Sequence, residues 1–507
     1  MNLSRSMWSS LLMLGLSIAG VSAQGTFNPK QFESFAEEAV ESFNLPSMTM
    51  IVQKEGEVIF SGAWGERGKE TDQTEVDLET MYAIASLSKA YTAAAIGMLV
   101  DDGKLKWDDK VVKHLPWFEM HDPYVTEHMT IEDLLCHRSG LITFDGDLLW
   151  YGSAYERTEA VRRIRHRAPS YEFRSEFGYQ NLMFMTAGEV ISAVSGMSWD
   201  SFITQRILKP LGMERTTSSY EQLITDPNFA KPHLSGEEIF TLSYENSGAT
   251  AALNSCASDM NTWLSFWLAD GVWKGDTLLR PTTVKKIWAL HTPLGTGAFD
   301  EQNGTHFKGY AQGWFVMDYN GRKVIHHGGG LPGYITKAVL VPEEALSIVV
   351  LTNDMSSVPT MMMYAAIDAI MGRPFDTRLE QFLAFKQRSD DREAAEKEAR
   401  LNTKKEDPKL AKLDAYVGVY RDEMYGDAKV ERKGEGLSLT FSPASTLFTG
   451  ALSSWDDHAF RWDHQDPFLT FGVISFEMKG KEASGFTVEL PNYDFHFDKL
   501  DFRRVSE

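Results

Sequence analysis

Residues 81–100, MYAIASLSKAYTAAAIGMLV, decide how this chain is read. From Ser88 onward, small and apolar side chains recur at helical spacing with little charge between them, which predicts a buried helix over 88–103. Its start carries Ser86-Leu87-Ser88-Lys89, an S-x-x-K arrangement. On a helix beginning here, positions i and i+3 share a face, so the Lys89 ammonium reaches the Ser86 hydroxyl. A free serine is a weak nucleophile and needs such a base or cation beside it. The helix N-terminus adds backbone N–H groups able to hold an oxyanion. A Ser and a Lys three apart arise by chance roughly once or twice in a chain of this size. The spacing alone therefore also fits a surface pair, but the apolar flanks argue for a buried turn, where an unpaired lysine is costly.

On either side of this helix the pattern changes to strands. Residues 47–64, SMTMIVQKEGEVIFSGAW, read as two strands around Lys54-Glu55-Gly56-Glu57. A matching block returns late, GYAQGWFVMDYNGRKVIHH (309–327) and GYITKAVLVPEEALSIVVLTN (333–353), with Asn320-Gly321 as a strong hairpin signal. The stretches 181–194 and 258–271 have helical periodicity. Strands at both ends and helices between them predict one sheet completed by distant segments, with a helical lobe beside it and a cleft at the junction.

Two further elements carry chemistry. Tyr179-Gln180-Asn181 precedes a predicted helix; a tyrosine near cations can serve as a base, and an asparagine can orient a lysine or a substrate amide. Tyr244-Glu245-Asn246 repeats the same Y-x-N pattern, so residue type alone leaves both open. His327-Gly328-Gly329-Gly330 ends a strand-like run, where glycines let backbone approach a ligand. The spacing Gly328, Gly330, Gly333 also fits a dinucleotide fingerprint, but a strand follows where that motif requires a helix, so nucleotide binding is rejected. There is no G-x-S-x-G elbow and no H-E-x-x-H, and no cofactor or metal site is read.

S-x-x-K, then Y-x-N, then a Gly-rich strand motif resembles the serine β-lactamase and penicillin-binding-protein superfamily. LLCHRSGL (134–141), FGYQNLMFMTAGEVI, ILKPLGMERT (207–216), NSCASDMNTWL and HHGGGLPGY are similar to its class C-type branch, over residues 30–372. The resemblance implies an α/β (α+β) fold: an antiparallel sheet flanked by helices, with a helical lobe. It implies Ser86 as the acylated nucleophile, Lys89 as its activator and Tyr179, not Tyr244, as the residue that takes and returns the proton. Asn181, His327 and Gly329 would bind substrate, and the N–H groups of Ser86 and Gly330 would form the oxyanion hole. Where β-lactamases have K-T-G, this chain has His327-Gly328-Gly329, and such H-x-G variants resemble esterases, D-amino-acid-specific peptidases and amidases. A lysine there gives the substrate carboxylate a fixed positive charge, which a histidine gives only in part near neutral pH.

The remaining sequence sets the boundaries. Residues 1–23 have the cation, apolar run and small-residue ending of a secretory signal peptide, with cleavage expected after Ala23 and a secreted or periplasmic product. Residues 24–374 form the hydrolase-like domain and 375–412 a charged helical linker. Residues 413–507 form a small all-β barrel or sandwich, similar to the domain of unknown function that follows many of these hydrolases. A formal charge of −21 disfavours nucleic acid, and no stable membrane anchor is expected. Cys136 and Cys256 are read as buried thiols, with a bridge left open. The partner expected is a small-molecule or peptide substrate, hydrolysed through an acyl-Ser86 ester. The alternatives are a β-lactamase or D-alanyl-D-alanine carboxypeptidase, and a non-catalytic wall- or glycan-binding protein on the same scaffold.

Overall fold

The computed structural model describes residues 27–505, so the export pattern of residues 1–23 lies outside the described residues. Nine strands make one antiparallel sheet: β1 (Ser47–Lys54), β2 (Glu57–Gly68), β3 (Asp72–Glu75), β4 (Thr292–Leu294), β5 (Lys308–Tyr310), β6 (Phe315–Tyr319), β7 (Arg322–Leu331), β8 (Tyr334–Val341) and β9 (Leu346–Thr352). Their order is β4-β5-β6-β7-β8-β9-β1-β2-β3, and the register Met48↔Thr352 joins the early and late blocks. The turns read from sequence are the hinges of this sheet. Glu55 and Gly56 have φ of 53° and 84°, and Asn320 and Gly321 have 48° and 78°. Positive φ at both central residues matches the right-handed twist of the flanking strands.

Both faces of the sheet are covered. Met48, Met50 and Val52 of β1, with Ile348 and Val350 of β9, pack with α1 (Pro29–Ser42) and α5 (Val358–Ile370). The alternate residues Ile51, Val349 and Leu351 face α4 (Ala257–Leu268) instead. Successive strand side chains point to opposite faces, and this is why LSIVVLT is apolar nearly throughout and buried along its whole length.

The helical lobe is built around α2 (Ser88–Asp101) and α3 (Asn181–Ser195). Helix α2 is buried from Ser88 to Leu99, with the Tyr91 ring stacked on Trp263 at 4.0 Å. Its alanines and Gly97 leave no bulk on the side toward Thr283, where a Cβ on Gly97 would come within 2.9 Å. Cys136 and Cys256 are both buried and unbonded.

The charged segment is one long helix, α6 (Thr377–Leu401), tied down at its start by Arg378, which donates to Asp368 at 2.7 Å and to Tyr319 at 2.8 Å. Beyond it, eight strands close into a barrel: β10 (Gly418–Asp422), β11 (Gly426–Lys433), β12 (Gly436–Phe441), β13 (Thr449–Asp456), β14 (Ala459–Asp463), β15 (Gly472–Lys479), β16 (Glu482–Glu489) and β17 (Phe502–Arg504). First and last strands pair at Tyr420↔Arg504, and the interior is filled by aromatics such as Phe441, Trp462 and Phe502. Among the described residues no helix is long and apolar enough to cross a membrane.

The barrel shares its core with the first region. Ala154 N–H donates to Pro443 O at 2.7 Å, Tyr155 Oη to Tyr425 O at 2.7 Å and His496 Nε2 to Thr143 O at 2.8 Å. The Phe495 ring lies 4.2 Å from that of buried Tyr151.

Candidate active site

Ser86 sits on a short 3-10 turn, Ala85–Leu87, that runs directly into α2. Ala85 has φ of 50°, a left-handed conformation that costs a non-glycine residue about 1 kcal/mol and projects the next side chain out of the helix line. Lys89 Nζ donates to Ser86 Oγ at 3.0 Å, to Asn181 Oδ1 at 2.7 Å and to the Thr250 carbonyl at 3.1 Å. It lies 4.8 Å from the centroid of the Tyr179 ring. The side chain has 0% exposure, and this burial holds its ammonium well below the ordinary lysine range, against the pull of Asp147. Burial likewise raises the Tyr179 phenol, with the Ser86 hydroxyl working the other way. Burial thus disfavours both the ammonium and the tyrosinate; on losing one proton Lys89 would keep its two N–H donors for Asn181 and the Thr250 carbonyl and accept from the Ser86 hydroxyl.

The Tyr179 loop is held by the LLCHRSGL segment. Gln180 N–H donates to His137 Nδ1 at 2.9 Å and Gly178 N–H to the His137 carbonyl at 2.9 Å, while the imidazole lies 4.1 Å from the Tyr179 ring. Tyr244 and Asn246, the second Y-x-N, are placed elsewhere: Asn246 Nδ2 donates to the Trp150 and Ser153 carbonyls at 2.8 and 3.0 Å.

Asp147 and Thr250 join this group although no pattern in the sequence marks them. Asn181 Oδ1 accepts from both Lys89 and Thr250 Oγ1 (2.7 Å), so its amide must donate, and it does so to Asp147 Oδ2 at 2.6 Å. Burial pushes the Asp147 carboxyl up to about 8. Among the described residues its second oxygen, Oδ1, has no hydrogen-bond partner.

Strand β7 passes beside the Ser86 turn. It pairs with β6 only as far as His326, so Gly328–Leu331 continue beyond the end of that partner. Gly329 does not line the pocket. A Cβ there would meet Ile84 O at 2.2 Å and Thr336 Oγ1 at 2.3 Å, so glycine at this position permits the close approach of β7 to the Ser86 turn, while Gly328 and Gly330 face the pocket. Gly329→Ala is expected to lower kcat by about 10- to 100-fold by forcing this strand off the turn, read in steady-state kinetics beside an unchanged circular dichroism spectrum.

His327 differs from the partly charged group expected. Its Nδ1 donates to Gly328 O at 2.6 Å and its Nε2 lies 3.0 Å from Tyr310 Oη, which donates to it when the ring is neutral. Burial first, and Lys89 second, lower it to about 3. An unfolded histidine titrates near 6.5, so between pH ~6.5 and ~3 the unfolded chain binds a proton that the folded site refuses. The resulting stability is complete above pH ~6.5 and is lost as pH falls. Urea unfolding at pH 5 against pH 7 is expected to show a loss of about 2 kcal/mol from this residue alone, and His327→Asn is expected to remove that part.

These side chains open on one cavity of about 670 Å³, lined by Ser86, Tyr179 and Asn181 and walled on the barrel side by Phe468, Asp494 and Phe495. The sequence gives no sign of these barrel residues at the site.

A family model described as Beta-lactamase matches residues 32–370, and one described as a domain of unknown function (DUF3471) matches 402–504. The chain is 27% identical over 372 residues to Unguisins hydrolase ungD' of Aspergillus campestris, covering 69% of this chain and 67% of that protein. It is 25% identical over 343 residues to Protein flp of Staphylococcus aureus, and it spans 63% of that protein's length. Among solved structures it is similar to the octameric penicillin-binding protein homologue from Pyrococcus abyssi. The TM-score is 0.62 at 20% identity, over 93% of this chain and 99% of that one. The D-stereospecific amidohydrolase from Streptomyces sp. gives a TM-score of 0.54 at 20% identity, over 64% of this chain and 94% of that one.

Proposed function

We propose, from the premise that this chain belongs to the beta-lactamase family of serine hydrolases, that it acylates itself on Ser86 and hydrolyses a small ester, amide or D-residue peptide. The observation that carries this reading is the 3.0 Å bond between Ser86 Oγ and a fully buried Lys89 amine.

In this reading Lys89 takes the Ser86 proton as Oγ attacks the substrate carbonyl. The N–H groups of Ser86 and Gly330 hold the oxyanion. As the tetrahedral intermediate collapses, the Tyr179 phenol gives its proton to the leaving oxygen or nitrogen and recovers one from the Lys89 ammonium. Water then attacks the acyl-Ser86 ester, passing its proton back through the same groups, and the acid leaves with Ser86 restored. The order differs from one in which Tyr179 is the first base, because burial disfavours a resting tyrosinate. Asn181 keeps the lysine aimed at Ser86, and Asp147 keeps Asn181 from flipping. We also read the protein as exported, on the signal-like pattern of residues 1–23.

The test is covalent labelling. A fluorophosphonate probe is expected to add once, at the Ser86 peptide by mass spectrometry, and not to Ser86→Ala. Equal labelling of both proteins, or none of either, defeats the proposal. A panel of p-nitrophenyl esters, D-aminoacyl anilides and a chromogenic cephalosporin then separates esterase, peptidase and β-lactamase.

A further inference from the structure

One charge in the pocket is used by none of these steps. Lys337, on β8, stands opposite Gly328 of β7 in the sheet register. It shares that face with Gly328, Gly330 and Ile335, all of which line the same cavity as Ser86. The side chain reaches across the bare glycine: a Cβ on Gly328 would lie 4.0 Å from both Lys337 Cδ and Nζ. Lys337 is only 9% exposed. Among the described residues no carboxylate or carbonyl accepts from its ammonium, and burial alone lowers it to about 8. The other lysine on this wall, Lys308, is already paired with Asp300 at 2.6 Å.

A poorly solvated cation on a cavity wall without a counter-ion gains from an anion that enters the cavity. The neutral, doubly bonded His327 cannot take a carboxylate, and Gly328 carries no side chain to do so. The bare Gly328 leaves space beside the Lys337 ammonium at one spot of the cavity.

We propose that Lys337 is the anion anchor of this active site, its ammonium over Gly328 binding a carboxylate carried by the substrate. The inference deepens the hydrolase reading and rests on it for the word substrate. It narrows the substrate class to acyl compounds with a carboxylate within reach of Gly328, and it places the fixed positive charge on β8 instead of at the head of the H-G-G motif.

The test compares 3-carboxyphenyl acetate with phenyl acetate, reading the ratio of their kcat/KM values in the full chain, in Lys337→Met and in Lys337→Arg. Methionine keeps the apolar stem and removes the charge, so the ratio is expected to fall about tenfold or more, with arginine restoring most of it. In parallel, benzoate binding to Ser86→Ala is measured by calorimetry with and without Lys337→Met, and the affinity is expected to weaken about tenfold. An unchanged ratio together with equal benzoate affinity overturns the proposal. If the full chain turns over neither ester, the hydrolase reading fails on its own account, and the benzoate comparison still decides the anchor.

Discussion

Lys89→Met is expected to lower kcat/KM on any substrate by about 10³- to 10⁴-fold while leaving the melting temperature at or above that of the parent protein. The two halves of this result have one cause. Lys89 is held in a fully buried site where its charged form is disfavoured, which suits the proton-accepting role proposed for it and makes it energetically expensive. Methionine fills nearly the same volume without an amine to desolvate, and replacing a buried ionisable group by a hydrophobe of similar size is neutral or stabilising. The groups left behind are largely satisfied: Asn181 Oδ1 keeps Thr250 Oγ1 at 2.7 Å, and its amide keeps Asp147 at 2.6 Å. The Thr250 carbonyl and Ser86 Oγ each lose a partner, at a cost of about 1 kcal/mol apiece, and Ser86 opens on the cavity. Thermal unfolding and ester turnover on the same preparation check both halves. A large fall in melting temperature would mean that Lys89 holds the fold together and that its loss of activity says nothing about proton transfer.

What could be read from the chain follows from how local each signal is. Asn320-Gly321 announces a hairpin because a two-residue turn with positive φ favours those residue types, whatever surrounds them, while at Glu55-Gly56 only the glycine carries that signal. Ser86 and Lys89 are legible as a pair because one helical turn joins them. Asp147 and Thr250 meet Asn181 only after the helical lobe has folded, and nothing in their neighbouring residues marks that meeting. Lys337 is the more instructive case. Nothing local in YITKAVLV marks Lys337, because its face is the wall of a cavity, which periodicity cannot distinguish from open water. His327 was legible as a departure from K-T-G, but its neutrality comes from burial and from Lys89, which only the folded site brings near it. Barrel and sandwich were equally compatible with the C-terminal strands, because closure rests on pairing the first strand with the last.

A chain ended at Leu401, before the barrel, is expected to lose both its fold and its turnover. The barrel is the far wall of the same core: Tyr151 has 0% exposure because Phe495 lies against it, and Leu447 sits over Gly152, where a Cβ would come within 2.2 Å. Each large apolar side chain uncovered costs about 1.5–3 kcal/mol, and several together equal the 5–15 kcal/mol by which a domain is ordinarily stable. The cavity would also lose Phe468, Asp494 and Phe495, opening the Ser86 site to bulk water and weakening every electrostatic interaction in it. Soluble yield, binding of an apolar dye and p-nitrophenyl acetate turnover together measure this. Phe495→Ala is the graded form, expected to cost about 3 kcal/mol of unfolding free energy and to raise KM more than it lowers kcat. A truncated chain that unfolds cooperatively and keeps the parent's turnover would make the barrel an independent module, and the wall- or glycan-binding role would then be its better explanation. A parallel loss of fold and activity makes it the closing wall of the hydrolase pocket, so that the substrate of Ser86 is selected by two domains and not by one.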